Sequence, residues 1–188
     1  MVYGMKKNNN DGSWAAFVAF AVLILLTFVV GQCNGQSLST PKPQRDCVCE
    51  TYRAELGVRE ATGNNDGYHV EKYLASTQLG PGYAWCAAFV NWSVRKCGVI
   101  GPQAAAWSPS WFPAERLNHG PPKPGDVFGI YFPSKNRIAH VGFIDEVKEN
   151  HYVTLEGNTN DAGSREGDGV YRKYRIKKQV SATANWID

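Results

Sequence analysis

The chain has 188 residues, of which 43% are hydrophobic and 20% charged, and its formal net charge is +3 at pH 7. This length suits one domain with a sizeable core and leaves little room for a second. The charge is only mildly basic, and no basic run is interleaved with aromatic residues, so the composition argues against a nucleic-acid partner.

The first feature along the chain is an apolar segment, Trp14–Val30, which follows Lys6 and Lys7. It is longer than a usual signal-peptide core and just reaches the length of a membrane-spanning helix. Residues 1–31 are therefore either a cleaved signal peptide or an anchor that crosses the membrane through residues 14–30. In both cases the lysines stay on the cytoplasmic side. We expect the rest of the chain in the cell envelope, membrane-anchored outside the cytoplasm or secreted.

A polar linker and two helices follow the apolar segment. Residues 32–46 contain two prolines and few apolar side chains, which predicts a linker between the membrane segment and a domain over residues 47–188. Apolar residues at helical spacing predict a helix over residues 47–58, ended by Gly57, and a shorter one over residues 70–77.

The helical spacing is clearest over residues 85–97. Basic residues fill the last turn of this segment and a glycine follows, as at many helix ends. The sequence therefore predicts a helix that begins directly behind a Pro-Gly turn. The residues that share one face at helical spacing are Cys86, Phe89, Val90, Val94 and Cys97.

The second half of the domain has a different pattern. Four short segments rich in Val, Ile, Phe and Tyr alternate apolar with polar residues and predict strands over residues 126–132, 139–147, 151–157 and 169–176. Short connections between them favour antiparallel pairing. Helices followed by such strands predict an α+β fold, with the N-terminal helices packed on an antiparallel β-sheet.

The cysteines of the domain leave room for one disulfide, because an exported domain folds where disulfides persist. If Cys86 stays free, a bridge from Cys97 to either Cys47 or Cys49 leaves one thiol over. A metal site made from these three cysteines is the alternative, although no histidine stands at ligand spacing beside them.

The start of the third predicted helix favours a nucleophilic thiol, because the positive end of the helix dipole lowers the pKa of Cys86. Packing of a small apolar side chain is the alternative role. A catalytic thiol needs a histidine, and His140 is the one that lies inside an apolar strand segment, RIAHVGFI. Glu156 and Asn158 lie two residues apart on the next strand, so we expect both on one face beside His140, where either can orient the imidazole.

In their order and spacing, the segments YAWCAAFVNW, PKPGDVFGI, AHVGFI and LEGNTN closely resemble the CHAP-type amidases. These enzymes belong to the papain-related NlpC/P60-like group and hydrolyse amide bonds in bacterial peptidoglycan. The resemblance covers residues 47–176 and implies a papain-like fold. It also implies that Cys86 is the nucleophile, His140 the general base, and Glu156 and Asn158 the orienting residues. The implied reaction passes through a thioester and needs no metal or other cofactor.

Five further residues are candidates for substrate contacts. Tyr83, near the turn before the helix, either donates to an oxyanion or packs as an aromatic side chain. Asn65 and Asp66 belong to a segment, VREATGNNDG, that resembles one upstream of the nucleophile in some family members, although such residues also form turns. Trp107 and Trp111 lie in a proline-rich loop, where either can flank a glycan or peptide groove, while core packing is the default role.

The residues and the resemblance together predict an exported cysteine hydrolase of peptidoglycan. It is either an N-acetylmuramoyl-L-alanine amidase or an endopeptidase of stem peptides or cross-bridges. The alternative is a non-catalytic wall-binding or assembly component of a trans-envelope machine that keeps the fold. A pure binder has no need of an ordered thiol and imidazole, which favours the enzyme. We expect a monomer, with peptidoglycan, the membrane and, for the assembly role, other envelope proteins as partners.

Overall fold

The fold is built on one antiparallel sheet. The computed structural model describes Met1 and residues 43–161 and 166–188. In these ranges the strands are β1, Val127–Phe132; β2, Arg137–Val147; β3, His151–Thr159; β4, Gly169–Ile176; and β5, Ala182–Ala184. The sheet has the order β4-β3-β2-β1-β5, and every neighbouring pair is antiparallel. The α+β class, the four predicted strands and their antiparallel pairing are confirmed.

Helices in the described ranges precede the sheet in sequence: α1, Gln44–Ala54; α2, Tyr68–Ala75; and α3, Cys86–Lys96. α1 begins before the predicted start at Cys47, because its first turn is polar and gives no apolar periodicity. Residues 44–46, predicted as the end of the linker, form this turn.

The core lies between α3 and the sheet. α3 packs against β2 and β3, and the Phe89 ring on its buried face lies 6.1 Å from the ring of Phe143. Tyr73 of α2 adds a ring 5.3 Å from Phe89. Close packing of this kind fixes the rotation of a helix on a sheet, and therefore the position of its first residue. These elements belong to one compact unit, Pro41–Asp188.

One disulfide, Cys47–Cys97, joins α1 to the residue after α3, with Cα atoms 5.8 Å apart. Of the two pairings that the sequence leaves open, this is the one through Cys47, and Cys49 is a free, buried thiol. The bridge uses two of the three thiols that the alternative metal site requires, so that alternative is wrong. Within the described ranges, no group of three or more His, Cys, Asp or Glu side chains is placed to hold a metal ion.

We expect this disulfide to stabilise the domain. It joins residues separated by 50 positions, and restriction of the unfolded chain then contributes about 4 kcal/mol to the free energy of unfolding. Urea unfolding of the full chain with and without a phosphine reductant measures the difference. The reductant effect should persist in Cys49→Ala and disappear in Cys97→Ala. An unchanged midpoint on reduction of the parent chain would show that the bridge is dispensable.

The apolar segment Trp14–Val30 lies outside the described residues, and so does the predicted signal peptide or anchor. Among the helices that the structure does describe, none combines the length and the apolar character needed to cross a membrane. The membrane segment therefore stays a prediction.

Candidate active site

Cys86 is the first residue of α3, and its side chain is buried. The indole of Trp85, just before the helix, donates from Nε1 to Glu60 Oε1 at 2.8 Å, which fixes the approach to the first turn. The Cys86 sulfur lies 3.8 Å from the hydroxyl oxygen of Ser108. Because the first amides of a helix have no partner within it, their positive field reaches the sulfur.

The imidazole of His140 stands between the thiol and a carboxylate. His140 lies on β2, and its Nε2 is 2.8 Å from Oε2 of Glu156 on β3. Because Nε2 is engaged by Glu156, Nδ1 is the ring nitrogen that remains to contact Cys86. The Cys86 thiol interacts with the imidazole and with the backbone amide of Val141. The ladder between β2 and β3 stops at the pair Phe143 and Leu155. Beyond that pair, the side chains of His140 and Glu156 connect the two strands.

Glu156 is fully buried and accepts hydrogen bonds on both oxygens. Arg175 on β4 donates from Nε to Oε1 at 2.8 Å and from Nη2 to Oε2 at 2.6 Å. Thr154 donates its hydroxyl to Oε1 at 2.5 Å. A buried carboxylate is stable only with such partners, and the bidentate guanidinium also fixes its plane. Glu156 therefore presents Oε2 to His140 in one orientation.

The electrostatics of the site favour an ion pair. Burial raises the pKa of the Cys86 thiol, but its hydrogen bond to His140 and the charge of that ring outweigh burial, and the pKa lies below the usual value. Burial lowers the pKa of His140, whereas Cys86 and Glu156 raise it more strongly, to about 9. Burial also raises the pKa of Glu156, but hydrogen bonds from Arg175 and His140 hold it well below the usual range. All three shifts favour the charged forms, which are thiolate, imidazolium and carboxylate.

The ion pair predicts an unusual pH dependence for alkylation of Cys86. Its rate with iodoacetamide should persist at pH values where an ordinary thiol is protonated. His140→Ala should move the midpoint to higher pH, because the thiol then loses the hydrogen bond and the charge of the imidazole while burial still raises its pKa. Mass spectrometry of the Cys86 peptide after timed labelling gives the rate. Cys49, the other free buried thiol in the described ranges, is the internal control, and its labelling rate should be the same in His140→Ala. An equal midpoint for Cys86 in both proteins would exclude the ion pair.

Asn158 contacts the loop before α2 instead of sharing a face with Glu156, and the predicted placement beside His140 is corrected. A bulge in β3 between Glu156 and Thr159 breaks the alternation of side chains. Asn158 itself has a left-handed backbone, with φ at 55°. Its amide donates to Asn65 Oδ1 at 2.8 Å. The backbone carbonyl of Asn65 accepts from the amide of Gly82, so Asn158 connects β3 to the turn before α3 through this loop.

The other residues predicted to contact substrate differ in exposure. Tyr83 and Trp107 have 57% and 49% of their surface exposed, so both are available to a ligand. Asp66 accepts two hydrogen bonds from Thr62, at 2.9 and 2.6 Å, and closes its own loop. The substrate contact predicted for Trp111 is wrong, because this side chain is fully buried and its indole donates to a backbone carbonyl of the same loop. Trp111 has the default role of packing in the core.

Sequence reasoning missed Ser108, Thr154 and Arg175. A signal for the last one exists, since a buried glutamate needs a cation and the next predicted strand carries several. The face of β4 on which each cation lies narrows the choice. Arg175 lies on the same face as Glu156 and forms an ion pair with it, whereas Arg172 lies on the other face and forms an ion pair with a different buried carboxylate. Ser108 lies in a loop whose sequence shows no regular pattern, so its contact with the Cys86 thiol could not be predicted.

A thiol at a helix start, facing an imidazole and a carboxylate held by a sheet, is a general arrangement for activating a cysteine nucleophile. Residues 78–158 match the family model described as the CHAP domain. This segment of the chain therefore matches the CHAP domain, as its sequence motifs indicate. The matched segment contains Cys86, His140, Glu156 and Asn158, and Arg175 lies outside it.

The solved structures that are distantly similar to the chain include RipA and Ly7917. One is the resuscitation promoting factor interacting protein RipA in a form mutated at a histidine, with 16% identity and a TM-score of 0.48 over 77% of this chain and 62% of that one. The other is Ly7917 with the hydrolyzing product of MDP, with 17% identity and a TM-score of 0.45 over 76% of this chain and 63% of that one. The chain thus spans less than two thirds of either protein's length. Comparison with curated proteins gave no significant match.

Proposed function

We propose that this protein hydrolyses an amide bond of bacterial peptidoglycan with Cys86 as its nucleophile. The observation that carries the proposal is the connected set of Cys86, His140 and Glu156 inside a CHAP domain. A protein that only binds the wall has no use for a buried thiolate and imidazolium, which are costly to keep in the interior.

In the proposed reaction, the thiolate attacks the carbonyl carbon of the amide, and the carbonyl electrons move onto oxygen. Collapse of this intermediate breaks the carbon–nitrogen bond, and the leaving amine takes its proton from the imidazolium of His140. The acyl group is now a thioester on Cys86. Neutral His140 then takes a proton from water as the water oxygen attacks the thioester, and the acid product leaves with restoration of the thiolate.

The remaining groups have supporting roles in this proposal. Glu156 orients the imidazole and stabilises its charged form, and Arg175 keeps Glu156 in place. The backbone amide of Cys86 is the first candidate for an oxyanion donor, with Tyr83 or Ser108 as the second. The roles of substrate-contact and orienting residue at Asn65, Asp66, Trp107 and Asn158 stay predictions.

The proposal leaves the cleaved bond to experiment. The full chain is incubated with purified peptidoglycan, and the soluble products are analysed by mass spectrometry. Glycan strands without peptides indicate the amidase, and peptides cut internally indicate the endopeptidase. Co-sedimentation with the wall without release of products would favour the alternative, a non-catalytic binding or assembly component.

The proposal also places the enzyme outside the cytoplasm. The disulfide Cys47–Cys97 supports this, because such bonds persist in oxidising compartments. Cell fractionation with intact-mass analysis distinguishes an anchor at Trp14–Val30 from a cleaved signal peptide, and recovery of the full chain from the cytosol would contradict export. Cross-linking in membranes identifies any trans-envelope assembly partners.

A further inference from the structure

A cation held on an aromatic ring lies beside the candidate active site. The guanidinium carbon of Arg137 is 4.0 Å from the centre of the Trp107 ring, and this ring is half exposed. Trp107 directly precedes Ser108, whose hydroxyl is 3.8 Å from the sulfur of Cys86. Stacking on an indole restrains a side chain that otherwise has much rotamer freedom, so the charge has a defined position.

Arg137 keeps most of its hydrogen-bonding capacity. Its Nη1 donates to the carbonyl of Ile138 at 3.0 Å. No other acceptor within the described part of the chain takes its remaining N–H groups, which are therefore open to a ligand. In the described ranges no carboxylate forms an ion pair with it, whereas Arg53, Arg172 and Arg175 are each paired with one. A restrained guanidinium with open donors matches the geometry of an incoming carboxylate.

Strand register places this cation on the same face as the imidazole. On β2, His140 pairs with Ile130 and Arg137 pairs with Phe132, because a bulge shifts the register between them. The two partners on β1 are two residues apart and share a face, and cross-strand partners share a face as well. Lys135, with its Nζ 5.9 Å from the Phe132 ring, adds a second positive charge at this end of the sheet.

We propose that Trp107 and Arg137 form a subsite for a free carboxylate of the substrate, one or two residues from the scissile amide. The inference rests on the proposed hydrolysis of peptidoglycan and gives it a specificity. In a stem peptide, the α-carboxylate of the γ-linked D-glutamate lies within that distance of the muramoyl amide and of the first peptide bonds. The enzyme then prefers stems in which this group is a carboxylate over stems in which it is a carboxamide.

The test uses two muramyl peptides, N-acetylmuramoyl-L-Ala-γ-D-Glu-L-Lys-D-Ala amide and the same compound with D-isoglutamine. They differ only in carboxylate against carboxamide at one carbon. We expect the parent chain to favour the carboxylate by about 10- to 100-fold in kcat/KM, as a charged hydrogen bond contributes. Arg137→Gln should remove this preference by slowing the carboxylate peptide alone. Arg95→Gln, an exposed arginine of α3 without an ion pair in the described ranges, should retain it.

Equal kcat/KM for both peptides in the parent chain, or equal losses on both in Arg137→Gln, would overturn the subsite while leaving hydrolysis intact. If the parent chain cleaves neither peptide, the proposed hydrolysis fails for these substrates and the subsite is tested by binding. Calorimetry on Cys86→Ala then gives two dissociation constants. A preference for the carboxylate that Arg137→Gln abolishes supports the subsite, and equal constants refute it.

Discussion

Replacing Cys86 with alanine should abolish hydrolysis of peptidoglycan while the domain stays folded. The thioester cannot form without the sulfur, and loss of a catalytic nucleophile lowers kcat by at least about 10⁴-fold. The sulfur is small, so its removal from the interior should lower the free energy of unfolding by roughly 1 kcal/mol. Release of soluble muropeptides measures the activity, and thermal unfolding measures the stability. His140→Ala should also abolish hydrolysis, because the leaving amine then receives no proton.

Cys49→Ala is the matched control, since it removes the other free and buried thiol of the described domain. It should keep full activity. If Cys86→Ala unfolds, Cys86→Ser separates the two roles, because it retains the shape and lacks the thiolate. A folded Cys86→Ser protein with parental activity would assign Cys86 to packing.

Glu156→Gln should lower kcat/KM by roughly 10²- to 10⁴-fold, as for other residues that orient a catalytic imidazole. The neutral amide no longer stabilises the imidazolium, so the pKa of His140 falls from about 9 toward its usual value. The parent chain should lose activity as pH rises through about 9, where the imidazolium loses its proton, and this alkaline limb should move to lower pH in the variant. The variant should also be less stable by up to roughly 3 kcal/mol, because Arg175 loses its partner.

Glu146→Gln is the control for this substitution. Glu146 forms an ion pair with Lys148 at the surface, with 39% of its side chain exposed, and exposed pairs contribute less than about 1 kcal/mol. Its activity and pH profile should match those of the parent chain. An alkaline limb that stays in place in Glu156→Gln would mean that Glu156 supports the fold and does not tune His140.

The sequence predicts the main strands and α3 because their patterns are long. α3 has apolar residues on one face through several turns, β4 alternates over most of its length, and β2 contains a long buried run rich in apolar residues. The first turn of α1 is polar, and β5 has three residues, too few to show an alternation. Both depend on tertiary packing and were not predicted.

The candidate site also has parts that the sequence predicts and parts that depend on tertiary structure. A cysteine at a helix start and a histidine within an apolar strand are local features, and the structure brings Cys86, His140 and Glu156 together. The displacement of Asn158 depends on Gly157, where a Cβ atom would lie 2.6 Å from the Trp85 ring, so β3 approaches α3 too closely for regular pleating. No periodicity in the sequence indicates that β3 comes so close to α3. Selection of Arg175 depends on strand register, which is equally non-local.

The most direct test of the account is the mass of the enzyme during turnover. The full chain is mixed with the carboxylate muramyl peptide, quenched in acid within the first turnover, and digested for mass spectrometry. The account predicts an acyl adduct on the peptide that contains Cys86, held as a thioester and absent from Cys86→Ala. Hydrolysis that continues without an adduct, and that survives complete alkylation of Cys86, would contradict it.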